Sequence, residues 1–369
     1  MSRRACSVAL LLCLLLLGLP WLQGREGPSV YSGMCDASAG IALDNATFVA
    51  ADDERNVFCV YSAKAPGSPR AVVEWDANLG VGTQDEHPEA DVEGATVLEK
   101  TIYWITSHGR NKEGKWRANR HRFFAMTIRQ DGDRVVAEPV GKPYVRLALD
   151  LAADPRLKAL GLPETLAPEK KKEEKLAPKD EGLNIEGLCA AVDGKTLLIG
   201  FRNPRPNGAA LIVPLLNPDA VIRDSAAPKF GEPIRLPLLK EANGKPVSLG
   251  IRSMEYSARH QAYLIVAGAH DEQKVFAFYR WSGKPADKPE VLPKATAAIA
   301  AVSGFGPEAL ILYPGHEKVQ LLSDDGSLLV RVASPKDCAK GSFHDGLCEA
   351  KDLLDPAKKT FRSLWVEVE

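Results

Sequence analysis

An all-β fold built from repeated strand pairs is what this sequence predicts. Three observations predict it: a phrase that recurs, a close succession of short apolar runs, and turn residues scattered along the chain. The clearest copy of the phrase runs from Asn184-Ile185-Glu186-Gly187-Leu188-Cys189 through Asp193-Gly194 to Gly200-Phe201-Arg202-Asn203. It has an acidic start, a small or apolar strand, an Asp-Gly turn, a second apolar strand and a polar end. A second copy runs from Asp91-Val92-Glu93-Gly94 to Ser107-His108-Gly109-Arg110, and a third from Met254-Glu255-Tyr256 to Ala269-His270-Asp271. Glu and polar end lie 15 or 16 positions apart in all three (93 to 108, 186 to 202, 255 to 270). Self-similarity at long period, built from strand pairs, is the signature of a radial β architecture, a β-propeller.

The elements follow in order. Arg3 and Arg4 precede an 18-residue apolar stretch, 5–22, which fits a secretory signal over 1–24. An uncleaved anchor is the alternative, because that length is at the short end of a membrane span. Residues 25–369 then read as one domain. Apolar runs of strand length recur at 47–51, 57–61, 71–75, 102–106, 123–128 and 134–138, and later at 196–201, 209–215, 262–267, 275–281, 309–313, 319–322 and 328–332. They are rich in Val, Ile, Phe, Tyr and Leu, and most are too short for helices. The 26 prolines and 30 glycines are spread along the chain, as many short strands require.

Repeat starts fall near residues 36, 93, 186, 255, 297 and 345. They predict six four-stranded blades, the last closed by an N-terminal strand at 29–32; five blades is the alternative. One segment interrupts the pattern. Residues 145–182 predict a short helix at 147–160 and then a charged run, Lys170-Lys171-Lys172-Glu173-Glu174-Lys175, expected as a solvated surface insertion. With Leu166 and Leu176 as its only large apolar side chains, 163–182 is expected to be mobile and dispensable.

Composition narrows the function classes. A formal charge of −1 speaks against nucleic-acid binding, which needs a net basic face. No stable membrane insertion is expected once the signal is removed, and the mature protein is expected to be a periplasmic or secreted monomer. Five cysteines remain beyond the signal: Cys35, Cys59, Cys189, Cys338 and Cys348. Cys338 and Cys348 are close in sequence and flank a Gly-Ser turn, so they are the expected disulfide.

In a propeller the first strand of each blade starts at the face where the second strand ends. The repeated Glu and the later polar residues therefore converge on one mouth. That set contains Glu93, Glu186 and Glu255 with His108, Arg110, Arg202, Asn203, Arg252, His270 and Asp271; Asp36, Asp52, Asp53, His316 and Asp345 join it from less regular blades. Three carboxylates, with Asp91 beside them, suit a divalent cation such as calcium, which takes oxygen ligands from several segments. The alternative is that each Glu caps backbone amides or pairs with an Arg.

The second repeat carries the sharpest charge contrast. Residues 85–93 hold five carboxylates, whereas 108–122 hold six Lys/Arg against one Glu. A cation beside an anion-binding set (His108, Arg110, Arg202, Asn203, Arg252, His270) is what phosphate-ester chemistry needs. Mutual pairing of the two loops is the competing explanation. There is no Gly-x-Ser-x-Gly elbow, His-Glu-x-x-His or Gly-Lys-Ser/Thr phosphate loop.

The motifs Asp91-Val92-Glu93-Gly94, Thr106-Ser107-His108-Gly109-Arg110-Asn111, Asn119-Arg120-His121-Arg122, Glu186-Gly187-Leu188 and Gly200-Phe201-Arg202-Asn203-Pro204 resemble the exported bacterial domain-of-unknown-function family 3616. That family is similar in turn to the esterase-like propellers grouped with phytase. The resemblance implies a metal-dependent phosphoesterase, without fixing a ligand set residue by residue. Two functions follow: a metal-assisted hydrolase of phosphorylated or other anionic esters, or a non-catalytic propeller that binds an anionic small molecule or a protein.

Overall fold

In the computed structural model the described residues are 27–82, 87–131, 134–178, 181–270 and 274–369. The expected signal at 1–24 lies outside them. Five four-stranded antiparallel sheets dominate. In chain order the first four are Ala37–Ala42, Thr47–Asp52, Val57–Ser62, Ala71–Glu74; Val92–Leu98, Thr101–Thr106, Phe123–Asp131, Arg134–Tyr144; Asn184–Ala190, Leu197–Asn203, Ala210–Leu215, Ile234–Leu236; and Gly250–Ser257, Ala262–Gly268, Phe276–Trp281, Glu290–Val291. The fifth orders Pro307–Ile311, Lys318–Ser323, Thr360–Glu367 and Ser29–Ser32. No helix among the described residues is long and apolar enough to cross a membrane.

The first strands pack side by side in cyclic order. That of sheet one touches those of sheets two and five, sheet two touches three, three touches four, and four touches five. Each strand is buried over most of its length, so apart from the polar residues near its start it is mostly small or apolar. Glycine follows the repeated Glu for this reason. A Cβ on Gly187 would sit 2.8 Å from Ile251 Cγ2 of the next sheet and 3.1 Å from Gly200 Cα. Pairing of Ser29–Ser32 with the C-terminal strand (Ser29 opposite Ser363, Ser32 opposite Thr360) joins the two ends of the chain. The sequence led to this closure, but in a sixth blade rather than the fifth sheet.

Two segments depart from the expected repeat starts. The repeat start near 297 lies in a helix, Pro293–Ala300. Pro293 stands in its first turn, the alanines favour helix, and Ala295 and Ile299, four apart, form its buried face. The start near 345 forms only a two-stranded ribbon, Leu347–Glu349 on Leu329–Arg331, in a small lobe between the second and third strands of sheet five. A second ribbon pairs Leu239–Ala242 with Lys245–Ser248.

The insertion is not a solvated excursion along its length. Three short helices, Leu147–Ala153, Pro155–Lys158 and Leu162–Leu166, bury Leu147, Leu151, Leu157, Leu162 and Leu166 in the core between sheets two and three. Leu176 is buried as well. A Cβ on Gly114, whose φ is +71°, would come within 2.2 Å of Glu173 O, so the basic loop of sheet two and the insertion lie backbone to backbone. This packing shows that 163–182 is not solvated along its length, as Leu166 and Leu176 are buried.

Candidate functional site: an acidic mouth

Every first strand carries a register shift near its start. It falls at Ser38, Glu93, Glu186, Arg252 and Glu308 in sheets one to five. A bulge places an extra residue and re-aims its side chain. Cross-sheet contacts show that these side chains converge. Ser38 Oγ donates to Val92 O of sheet two. Arg252 Nη1 of sheet four donates to Glu186 Oε2 of sheet three at 3.0 Å and to Glu308 Oε1 of sheet five.

The mouth has two halves of different chemistry. In one, Glu186 is fully engaged. It accepts from Arg202 Nη1 at 2.8 Å, Asn184 Nδ2 at 2.9 Å and Arg252 Nη1 at 3.0 Å. Arg202 Nη2 also donates to His270 O at 2.9 Å. In the other half, carboxylates face carboxylates. Ligand oxygens of Asp53, Glu93 and Glu308 lie within 4.8 Å of one another, and so do those of Asp36, Asp52 and Asp53. Oxygens bound to one ion at about 2.4 Å are at most about 4.8 Å apart, so the spacing suits a hard cation. These acidic clusters could hold a metal ion.

Within that half the side chains differ in what satisfies them. Glu93 is 9% exposed, and no hydrogen bond or ion pair reaches its carboxylate among the described residues. Asp53 Oδ1 is buried and likewise without a hydrogen-bond partner. Asp52 is neutralised by Arg55 at 2.7 Å. Burial pushes the Glu93 carboxyl well above the usual carboxylate range, with Glu186, Asp91 and Glu308 adding like charge. Burial does the same to Asp53, helped by Asp36 and Glu93. Glu308 is raised to about 8, mainly by burial, although Arg252 pulls the other way. Asp36 is raised to about 9 by burial and by Asp324, whose carboxyl it meets.

Several sequence-predicted residues belong elsewhere. Glu255 stands three positions past the bulge of sheet four, opposite Leu264, and takes no part in either acidic group; Arg252 holds the equivalent place. Burial alone raises Glu255 to about 8. Asp91 accepts from Arg120 Nη1 at 2.9 Å, and Arg120 also bonds Glu89. The two oppositely charged loops of sheet two therefore pair with each other.

The anion-binding set divides in the same way. Arg110 donates to four backbone carbonyls, Gly114 at 3.1 Å, Lys170 at 2.8 Å, Leu166 at 3.1 Å and Ala167 at 2.7 Å, and so pins the insertion. His108 is buried, with Nδ1 at 2.8 Å from Thr106 O, and burial lowers it to about 4. Asn203 Nδ2 donates to Gly182 O at 3.2 Å. Of this set, Arg202 and Arg252 bring their charges to the mouth, and the His270 carbonyl accepts from Arg202 there. His316 bonds Asn45 O away from the mouth, Asp345 lies in the small lobe, and Asp271 is outside the described residues. Cys338 and Cys348 are adjacent, buried and unbonded.

Glu308 is the residue sequence reasoning missed. Its signal is the apolar-X-small pattern of Val92-Glu93-Gly94, Ile185-Glu186-Gly187, Ile251-Arg252-Ser253 and Pro307-Glu308-Ala309. Ala37-Ser38-Ala39 completes the series.

Residues 146–305 match the family described as "Protein of unknown function (DUF3616)", which bears out the expected resemblance over that segment. No curated protein is significantly similar to the chain. Among solved structures, Myxococcus xanthus glutaminyl cyclase is 10% identical with a TM-score of 0.40, over 92% of this chain and 95% of that one. The PQQ-bound aldose sugar dehydrogenase of Streptomyces coelicolor is 11% identical with a TM-score of 0.39, over 92% and 99%. A Bacteroides thetaiotaomicron protein of unknown function is 8% identical with a TM-score of 0.40, over 92% and 76%. At these scores the likeness decides nothing about activity here.

Proposed function

We propose that this chain is an exported five-bladed propeller whose mouth holds a divalent cation, calcium by preference, and presents it to an anionic ligand. Asp53, Glu93 and Glu308 are the protein ligands. The observation that carries the reading is the Glu93 carboxylate, nine-tenths buried without a hydrogen-bonding partner among the described residues and aimed at two more carboxylates. An uncompensated buried carboxylate is costly, and a cation removes that cost. Calcium takes six to eight oxygens, so three side chains leave positions for water or for a carboxylate or phosphate oxygen. The apolar stretch at 5–22 supports export.

Ligand binding is favoured over ester hydrolysis because His108 and Arg110 are engaged away from the mouth. Calorimetric titration of the purified protein with calcium tests the proposal. One site is expected, lost in Glu93→Gln and in Glu308→Gln, with inorganic phosphate binding only when calcium is present. No heat and no thermal shift with calcium, manganese or magnesium would reject it. Turnover of a phosphomonoester in the calcium-loaded protein, absent in Glu93→Gln, would extend binding to catalysis.

A further inference from the structure

The lobe between the second and third strands of sheet five has its own small core. Its buried members are Cys338, Cys348 and Leu353, with Val330, Val332 and Phe343 packed around them. Such a cluster supplies little burial, and small units with little burial are commonly strengthened by a covalent staple or a metal. Two of its three buried side chains are thiols, and those thiols are neighbours in this cluster. The chain reaches the pair from two sides: Cys348 lies on the ribbon opposite Val330, whereas Cys338 bridges to Leu353. Closing the pair would tie the ribbon to the turn that crosses beneath it.

Of the two cysteines, Cys338 borders a cleft. The cleft, of about 600 Å³, is lined by Pro335, Phe343 and Leu354. Lys336 and Lys340, both exposed, stand on its rim. The other three described cysteines, Cys35, Cys59 and Cys189, are buried in or beside the sheets and line neither this cleft nor this cluster.

We propose that Cys338 and Cys348 form a dithiol–disulfide site that reacts with small anionic disulfides through this cleft and staples the lobe when oxidised. The Cys338 thiolate attacks one sulfur of the reagent and expels its first thiolate. The Cys348 thiolate then attacks Cys338 sulfur in the mixed disulfide, forms the intramolecular bond and expels the second. The pair gives up two protons and two electrons, and the reagent leaves as two thiols. Lys336 and Lys340 raise the local concentration of an anionic reagent.

The test is incubation of the full chain with glutathione disulfide, followed by alkylation in denaturant and non-reducing peptide mapping. A Cys338–Cys348 peptide is expected, with Cys35, Cys59 and Cys189 alkylated as thiols. Full alkylation of both lobe cysteines after incubation, or linkage of either to another cysteine, overturns the site. In Cys348→Ser, Cys338 should retain glutathione as a mixed disulfide. The double change Lys336→Glu, Lys340→Glu should slow oxidation by glutathione disulfide about threefold or more and leave oxidation by cationic cystamine unslowed. Equal rates with both reagents, before and after the change, would overturn the cleft route.

Discussion

The arginine half of the mouth and its acidic half are built from one backbone device and use it oppositely. Glu186 and Glu93 occupy the same bulge position in adjacent sheets. Three donors satisfy Glu186, whereas Glu93 faces Asp53 and Glu308. A buried carboxylate is tolerated when a cation of the protein neutralises it, and it holds its proton or takes a foreign cation when none does. On the proposed reading, the difference marks where the fold is self-sufficient and where it is left to a ligand.

The largest expected effect comes from removing the shared cation. Arg252→Met takes the cation from Glu308 and leaves Glu186 with Arg202 and Asn184 alone, and should cost about 3–5 kcal/mol in urea denaturation, as breaking one side of a buried pair does. A cost under about 1 kcal/mol would break the contrast, because it would mean that both halves are solvated alike.

Proton linkage should separate the halves next. Asp36 and Glu308 are raised to about 9 and about 8, and Glu93 and Asp53 are raised as well. These groups keep protons in the folded, metal-free protein that the unfolded chain loses above about pH 4.5. The unfolded state then binds fewer protons, so stability should fall as pH rises from about 4.5 to about 9, by up to about 1.4 kcal/mol per pH unit for each retained proton. Saturating calcium, which binds the ionised forms, should flatten or reverse the slope, and Glu93→Gln should reduce it. A slope unchanged by either would place the linked protons outside the acidic half.

The smallest expected effect is at Glu255, three residues from the bulge. Glu255→Gln should change stability by less than about 1 kcal/mol and leave calcium affinity unchanged. Lost calcium binding in that variant would move the site down the fourth sheet and merge the two halves.

Much of the fold was legible in residues. The Glu-Gly phrase read as a strand start in sheets two and three because glycine is needed where first strands crowd together, and Ser29–Ser32 read as the closing strand. The fourth and fifth sheets were misaligned. Met254-Glu255-Tyr256 imitates the phrase three positions late, and the alanine-rich segment at 293–300 looked like a weak strand although its i, i+4 face makes it a helix. At the mouth, Glu93, Glu186, Arg202, Arg252 and Asp53 were visible as repeated polar termini, whereas Glu308 was hidden by a repeat frame shifted onto Ala297.

By itself the sequence determined the class of fold, the short-strand rhythm and the placing of charge at strand starts, because these depend on local periodicity and turn chemistry. Only the tertiary structure decided which charges meet. Whether Arg110 reaches an anion or four carbonyls of the insertion, and whether Glu186 or Glu93 keeps its arginine, depends on segments brought together from across the chain. Burial then sets the outcome, since a charge removed from water must be paired, protonated or bound, and no local pattern records which partner lies opposite.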